Sequence, residues 1–289
     1  MLVCCGLVTL DVVQVVDRLP RADEKVVARS LAATFGGPAA NAAATAVALG
    51  VPTRLVAAVG SGALADVVRG ELAACGVGLV DVAGAVDGAG QPAVSTVLVT
   101  HGTGERAVVS TNASGVADHG ADLDVGRLVG DVGPGDVLLL DGHLPGVALA
   151  VARRAREQGC AVVLDGGSWK ADAPEMIGLC DAVVVSADFR PPGAESRDVL
   201  DAVAALGPRF VARTGGARPV EVLEAGERYA VAVPTPARVV DTLGAGDVVH
   251  GAFAARVAGG RSWREALEDA VVVATRSVEH AGARGWIHP

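Results

Sequence analysis

Short apolar runs alternate along the chain with longer stretches whose apolar residues recur at helical spacing. The runs at residues 54–59, 136–140, 161–164, 182–185 and 210–212 are rich in Val, Leu and Ala. Unbroken runs of this length predict strands buried on both faces of a parallel sheet. Residues 1–10 read as a first strand of the same kind. Between the runs, Leu144, Val147, Ala148, Val151, Ala152 and Ala155 fall on one helical face. Ser262 and Glu265 form a capping box ahead of Ala266, Leu267, Ala270, Val271 and Ala274, which predicts a second helix packed on the sheet. The sum is an α/β chain with a doubly wound sheet flanked by helices.

Two segments break the alternation, residues 12–33 and 92–111, and read as short strands and turns. In the second, residues 94–100 and 106–110 flank His101-Gly102-Thr103-Gly104-Glu105, which predicts a hairpin. Together the segments predict a small β-sheet standing off the main one. A flap over an active site and an ordinary edge hairpin both fit the pattern.

Composition narrows the function. The chain has 289 residues, a length that suits one domain over residues 1–289 with the irregular segments inserted in it. It carries 24 Lys and Arg against 33 Asp and Glu, a formal charge of −9. An acidic surface repels phosphate backbones and anionic lipid, so neither nucleic acid nor membrane is expected as partner. Lys25 and Lys170 are the only lysines. Neither follows the glycine of a P-loop, and neither sits in a recognisable Schiff-base setting. Cys4, Cys5, Cys75, Cys160 and Cys180 are odd in number and lack CxxC spacing, and the N-terminus lacks a charged signal-peptide region. A cytoplasmic protein is expected. His101, His119, His143, His250, His280 and His288 show no metal-ligand spacing. His250 reads as helix packing, and His143 as a residue within reach of a pocket at the carboxyl edge of the sheet.

The richest stretch is Asp241-Thr242-Leu243-Gly244-Ala245-Gly246-Asp247, at the mouth of a helix. Gly244, Ala245 and Gly246 leave first-turn N–H groups uncovered, which makes an anion site. A carboxylate there repels an anionic ligand unless Asp247 takes a proton from a hydroxyl attacking phosphorus. The alternative is a tight turn in which Asp247 complements the helix dipole. A second turn, Gly36-Gly37-Pro38, opens a small-residue helix with Asn41 one turn in, suited to neutral hydroxyls or to plain helix–sheet packing. A third, Gly60-Ser61-Gly62-Ala63-Leu64-Ala65 with Asp81 about 20 residues on, matches a dinucleotide fingerprint.

The first two motifs, in this order and about 200 residues apart, resemble the signatures of the ribokinase-like (PfkB) carbohydrate kinases, and the resemblance spans essentially the whole chain. It implies a Rossmann-like, ribokinase-like core with a β-sheet lid, formed by the two irregular segments. It implies Asp247 as general base and the Gly244, Ala245 and Gly246 amides as the anion hole. Asp11 resembles the substrate Asp, with Gly37 and Asn41 completing the sugar contacts. Thr214 and Gly216 resemble the nucleotide-binding TxG segment, and Asp241 the position that helps hold a monovalent cation, K⁺, in many members. ATP and Mg²⁺ are the implied cofactors, and an exposed lid edge is a pairing surface for a homodimer. Two positions depart from the family pattern. Its NxxE segment, which organises Mg²⁺, is replaced by Ser186-Ala187-Asp188-Phe189, and Pro38 stands where ribokinases often have Lys. The motif wording resembles the ketohexokinase and fructokinase branch, which implies a ketose such as fructose. Two other classes stay open: a silent sugar-binding regulator of the same fold, and an NAD(P)-dependent oxidoreductase built on Gly60 to Ala65.

Overall fold

The computed structural model of the protein describes residues 1–85, 90–103, 105–112 and 123–287. Gly104 in the expected hairpin turn, His119 and His288 lie outside the described residues. The first half of the chain forms β1 (Leu2–Cys5), β2 (Thr9–Val16), β3 (Ser30–Gly36), α1 (Pro38–Ala48), β4 (Thr53–Ala57), α2 (Ala63–Ala74), β5 (Gly78–Asp81), β6 (Ala93–Thr100) and β7 (Arg106–Ser110). Then come α3 (Val125–Val129), β8 (Val137–Leu140), α4 (Pro145–Glu157), β9 (Ala161–Gly166), α5 (Ala173–Gly178), β10 (Ala182–Val185) and α6 (Val199–Ala204). The chain ends with β11 (Phe210–Gly215), β12 (Arg218–Glu224), β13 (Glu227–Val231), α7 (Ala245–Ala258) and α8 (Trp263–Ser277).

The large sheet has the order β13-β12-β11-β10-β9-β8-β1-β4-β5, parallel from β5 through β11, with β12 and β13 antiparallel at one edge. Alternation within β1 shows how the core divides. Leu2 and Cys4 point into the layer formed with α1, α2, α7 and α8, while Val3 and Cys5 point into the layer formed with α3 to α6. Both faces are therefore dry, which is why these strands read as unbroken apolar runs. The expected α4 and α8 faces are buried as read, and the Ser262–Glu265 capping box is present.

The alanine-rich α1 exists to let α7 come close. A Cβ on Gly251 of α7 would stand 2.4 Å from the Ala42 carbonyl oxygen, so the two helices meet backbone to backbone. On the far side of α7, Phe253 stacks with Phe210 and lies 5.8 Å from Trp263, tying α7 and α8 to the sheet.

The expected small sheet forms, in the order β3-β2-β6-β7. β6 and β7 pair antiparallel as the expected hairpin, and β2 joins β6 in parallel. The first strand is shorter than read: it ends at Cys5, and the chain passes through Gly6 into β2. A Cβ at Gly6 would lie 2.0 Å from the Asp141 carboxylate, so only glycine lets the chain turn here. Asp11, which follows the residues read as the first strand, accordingly sits within β2 of the small sheet. Among the described residues no helix is long and apolar enough to cross a membrane.

Candidate active site

From β1 the chain crosses to β4 on one side, while β8 lies on the other and leads on to β9, so the β1/β8 boundary is where the winding reverses. Crevices at such points, beyond the carboxyl ends of the strands, are the usual ligand sites of open α/β sheets. Asp141 follows β8 and closes the floor of this crevice. Its Oδ2 accepts from Leu7 N at 2.8 Å and Ala39 N at 3.1 Å. Its Oδ1 accepts from His143 N at 2.9 Å and faces His143 Nδ1 at 3.1 Å. One carboxylate thus caps α1, whose own N-cap is Gly37, and holds the connection after β1 at the end of β8. Burial acts to raise the Asp141 pKa, but His143 and the backbone donors outweigh it and hold the carboxyl below its ordinary value.

Across the crevice stands the mouth of α7. Gly244 is its N-cap, in the left-handed region at φ 74°. Any side chain there would also strike Ala283, whose Cβ lies 2.4 Å from the ideal Cβ position. Val248 N is bonded to Gly244 O at 2.9 Å, so the Gly246 and Asp247 amides precede the first i→i−4 bond, as at every helix start. A Cβ on Gly246 would meet open space. Asp247 is pushed up to about 7, first by burial and then by the negative charge of Asp165, with Asn41 acting in the opposite sense. A carboxylate near neutrality is suited to taking a proton from a hydroxyl.

The structure brings Asn41 and Asp247 together across 206 positions of sequence: Asn41 Nδ2 donates to Asp247 Oδ2 at 2.7 Å. Gly37, at φ 94°, passes so close to the connection between β1 and β2 that a Cβ would lie 2.5 Å from the Leu7 oxygen. Asp11 accepts from Thr9 Oγ1 at 2.6 Å and pairs with Thr34 across the lid strands. Thr34 and Asn41 are both bonded by Arg284, from the segment after α8. Asn41 and Asp247 at the α7 mouth are therefore linked through Arg284 to Thr34, the register partner of Asp11.

Below it lies a buried polar cluster that the motifs do not announce. His250, one turn past Asp247, places Nε2 3.1 Å from Asp165 Oδ1 on β9. It is a partner of a buried carboxylate and not only a packing residue. Burial raises Asp165 to about 8, aided by Asp141, and lowers His250 to about 4. Burial thus disfavours charge on both members of the pair. Lys170 is half-buried beside it, its Nζ donating to Gly142 O at 2.8 Å. Burial lowers its pKa, while Asp141 and Asp165 act to raise it. The sequence reading gave Lys170 no setting, and the structure gives it one at the crevice floor.

Thr214, expected at the nucleotide, lies next to the end of β11 with Oγ1 3.4 Å from Val185 O, and Gly216 turns at φ 65° with open space where a Cβ would be. Asp188 is exposed, its N–H bonded to Ser186 Oγ at 3.1 Å. Among the described residues no group of three or more His, Cys, Asp or Glu is arranged to hold a metal. The monovalent cation implied at Asp241 does not fit its surroundings. Oδ1 accepts from Leu243 N and Oδ2 from Gly282 N, each at 2.9 Å, and the Arg106 guanidinium of lid strand β7 lies 3.5 Å from Oδ1. A guanidinium at that distance repels a second cation.

Gly60 to Ala65 does open α2 after β4, but the space a dinucleotide ribose needs is taken. Arg69 of α2 bonds both Gly60 O and Asp81 Oδ2, and Asp81 Oδ1 accepts from Val59 N and Ala83 N at 3.0 Å. The turn is structural. Asp141 and Asp165 were missed by motif reading, although each marks a strand end at the carboxyl edge. Arg284 had no sequence signal at all.

The family description matching the chain is that of the pfkB family carbohydrate kinases, over residues 1–288. An ATP-dependent ribose-1-phosphate kinase of Halopiger xanaduensis is 32% identical over 280 residues, covering 96% of this chain and 92% of that protein. A ribokinase of Arabidopsis thaliana is 27% identical over 300 residues, covering 98% and 77%. Among solved structures, Arabidopsis thaliana ribokinase complexed with ribose and ATP superposes with a TM-score of 0.77 at 23% identity, over 97% of this chain and 93% of that one. Thermotoga maritima ribokinase gives a TM-score of 0.77 at 20% identity, over 99% and 95%. A ribokinase-like fold, the matched family description and relatives that are kinases agree, and the chain belongs to the pfkB family of carbohydrate kinases.

Proposed function

We propose that the protein transfers the γ-phosphoryl group of Mg–ATP to a hydroxyl of a furanose pentose, ribose or ribose 1-phosphate, with Asp247 as general base. The single observation that carries this reading is Asp247 itself. It stands at the uncovered mouth of α7, raised to about 7, with Oδ2 held by Asn41. Asp11 and Asn41 receive the sugar, and the sugar hydroxyl approaches the free oxygen of Asp247. The Gly244 and Gly246 amides face the charge that develops on the phosphoryl oxygens, while the Ala245 amide, expected as a third donor, is taken by Thr242 O at 3.3 Å. Thr214 and Gly216 border the nucleotide. The lid strands cover the crevice and exclude water, which protects ATP from hydrolysis.

The pentose is supported by the names of the relatives, and fructose, from the motif wording, is the competing acceptor. Asp241 braces the anion-hole loop, with Arg106 supplying the positive charge that a monovalent cation supplies elsewhere. Residues 1–289 act as one catalytic unit, paired through exposed lid strands as a homodimer. A cytoplasmic location agrees with an odd number of cysteines that lack CxxC spacing. The test is ADP release from Mg–ATP with ribose, ribose 1-phosphate, fructose and a no-sugar control. One pentose should raise the rate well above the control. A sugar that binds without ADP release would leave the regulator reading instead, and a preference for fructose would replace the pentose.

A further inference from the structure

Arg284 has no place in the motifs and sits against the acceptor crevice. One guanidinium nitrogen donates to Asn41 Oδ1. The other donates to Thr34 Oγ1 at 2.6 Å and to the Phe35 carbonyl at 2.7 Å, and the group lies 3.6 Å over the Phe35 ring. Each of these partners is neutral. Among the described residues no carboxylate lies within ion-pair distance of Arg284, and its charge is balanced only from further off, by Asp11, Glu71 and Asp247. A largely buried cation without an ion pair is costly, and a docking staple for a C-terminal segment does not need one.

What the charge does accomplish is the orientation of an amide. A guanidinium only donates and a carboxylate only accepts. Asn41 lies between the two, so its Oδ1 must face Arg284 and its Nδ2 must face Asp247 Oδ2, as observed. Turned the other way, the amide would make two repulsive contacts. Because the same guanidinium grips Thr34 and Phe35 of β3, the orientation also depends on the position of the lid sheet.

Resting on the kinase reading above, we infer that Arg284 is a positioning residue. Through Asn41 it sets the carboxylate of Asp247, leaving one oxygen toward the acceptor hydroxyl, and it makes that setting conditional on lid strand β3.

Two readouts test this, one of them independent of turnover. The groups that face Asp247 are Asp165 on β9, Asp141 after β8, His250 on α7 and, further off, Arg284. His143 and Lys170 act on the first two. Removing Arg284 while these remain should raise the Asp247 titration. In ¹³C NMR of labelled aspartate, with Asp247→Asn for assignment, Arg284→Gln should move that titration up by roughly half to one unit. In steady-state kinetics on the sugar that gives ADP, Arg284→Gln should lower kcat about 10- to 100-fold, more than it changes KM. The acid limb of kcat/KM should move up with the NMR value. Arg284→Lys keeps the charge and the fold but cannot hold Asn41 and β3 together. It should leave the titration in place and lower kcat about 10-fold.

An unmoved Asp247 titration in folded Arg284→Gln would overturn the inference, and so would an Arg284→Lys variant with wild-type kcat. If Arg284→Gln does not fold, the lysine variant decides. A wild-type enzyme that releases no ADP with any sugar would defeat the kinase reading alone, because the NMR titration still tests the Arg284–Asn41–Asp247 chain.

Discussion

At Asp247, burial and neighbouring carboxylates set the pH at which the proposed base can work. Its carboxyl is raised to about 7, and only the ionised form accepts a proton. kcat/KM should therefore fall roughly tenfold per unit as pH drops well below that value. Asp247→Asn should lower kcat by at least about 10²-fold while sugar affinity stays within several-fold, measured by ADP release and equilibrium binding. Near wild-type turnover would remove the base assignment. Asp165 gives a prediction of the opposite kind, about stability. Its folded-state pKa, about 8, lies far above the ordinary carboxylate range, so the native state binds its proton more tightly. That contribution is full below about 4 and is lost as pH rises through about 8. Asp165→Asn keeps a donor for His250 Nε2 and has no charge to bury. Relative to wild type its Tm should rise by a few degrees between pH 6 and pH 9. A constant difference would mean that Asp165 is already ionised in the native state. Asp247 was legible as a residue because its motif carries the chemistry. Asp165 was not, because a single Asp in a valine-rich strand gives no sign of what it faces.

The elements work as a frame that carries residues from distant parts of the chain to the β1/β8 boundary. Helices α1 and α7 were both legible from glycine-rich openings, and their close approach follows from Gly251 lying on Ala42. The two lid segments were legible as departures from the helical period, and their pairing as β3-β2-β6-β7 agrees with that reading. The split of the first strand at Gly6 was not, since apolar residues continue on both sides and only the approach of Asp141 forces the turn. Lid and catalytic loop meet where Arg106 of β7 bonds Thr242 Oγ1 at 3.1 Å and faces Asp241. This contact replaces a monovalent cation in our reading. Wild-type activity should be the same in K⁺ and in tetramethylammonium buffer. Arg106→Ala should make the enzyme K⁺-stimulated by several-fold, because an uncompensated Asp241 then attracts a cation. Strong K⁺ dependence of the wild type would contradict this.

Taken as a whole, the molecule leaves its lid less covered than its core. Leu31 on edge strand β3 and Val108 and Val109 on edge strand β7 are exposed, Val109 at 75%. Unpaired edges carrying apolar side chains are surfaces that a second copy can cover. Val109→Lys should convert a dimer to a monomer in light scattering and leave the fold intact by circular dichroism. A monomeric wild type would remove the homodimer proposal.

The order of buried runs and helical faces determined the layered α/β architecture, because burial on two faces or on one leaves different periods in a sequence. The helix openings at Gly37 and Gly244 and the carboxylate at Asp247 were determined in the same way, since backbone freedom and local spacing are properties of adjacent residues. Tertiary structure alone decided the partners: Asn41 with Asp247, His250 with Asp165, Asp141 with Leu7 and Ala39, and Arg284 with Asn41. These contacts join residues from about 85 to 243 positions apart, and their strength depends on burial that no local pattern records.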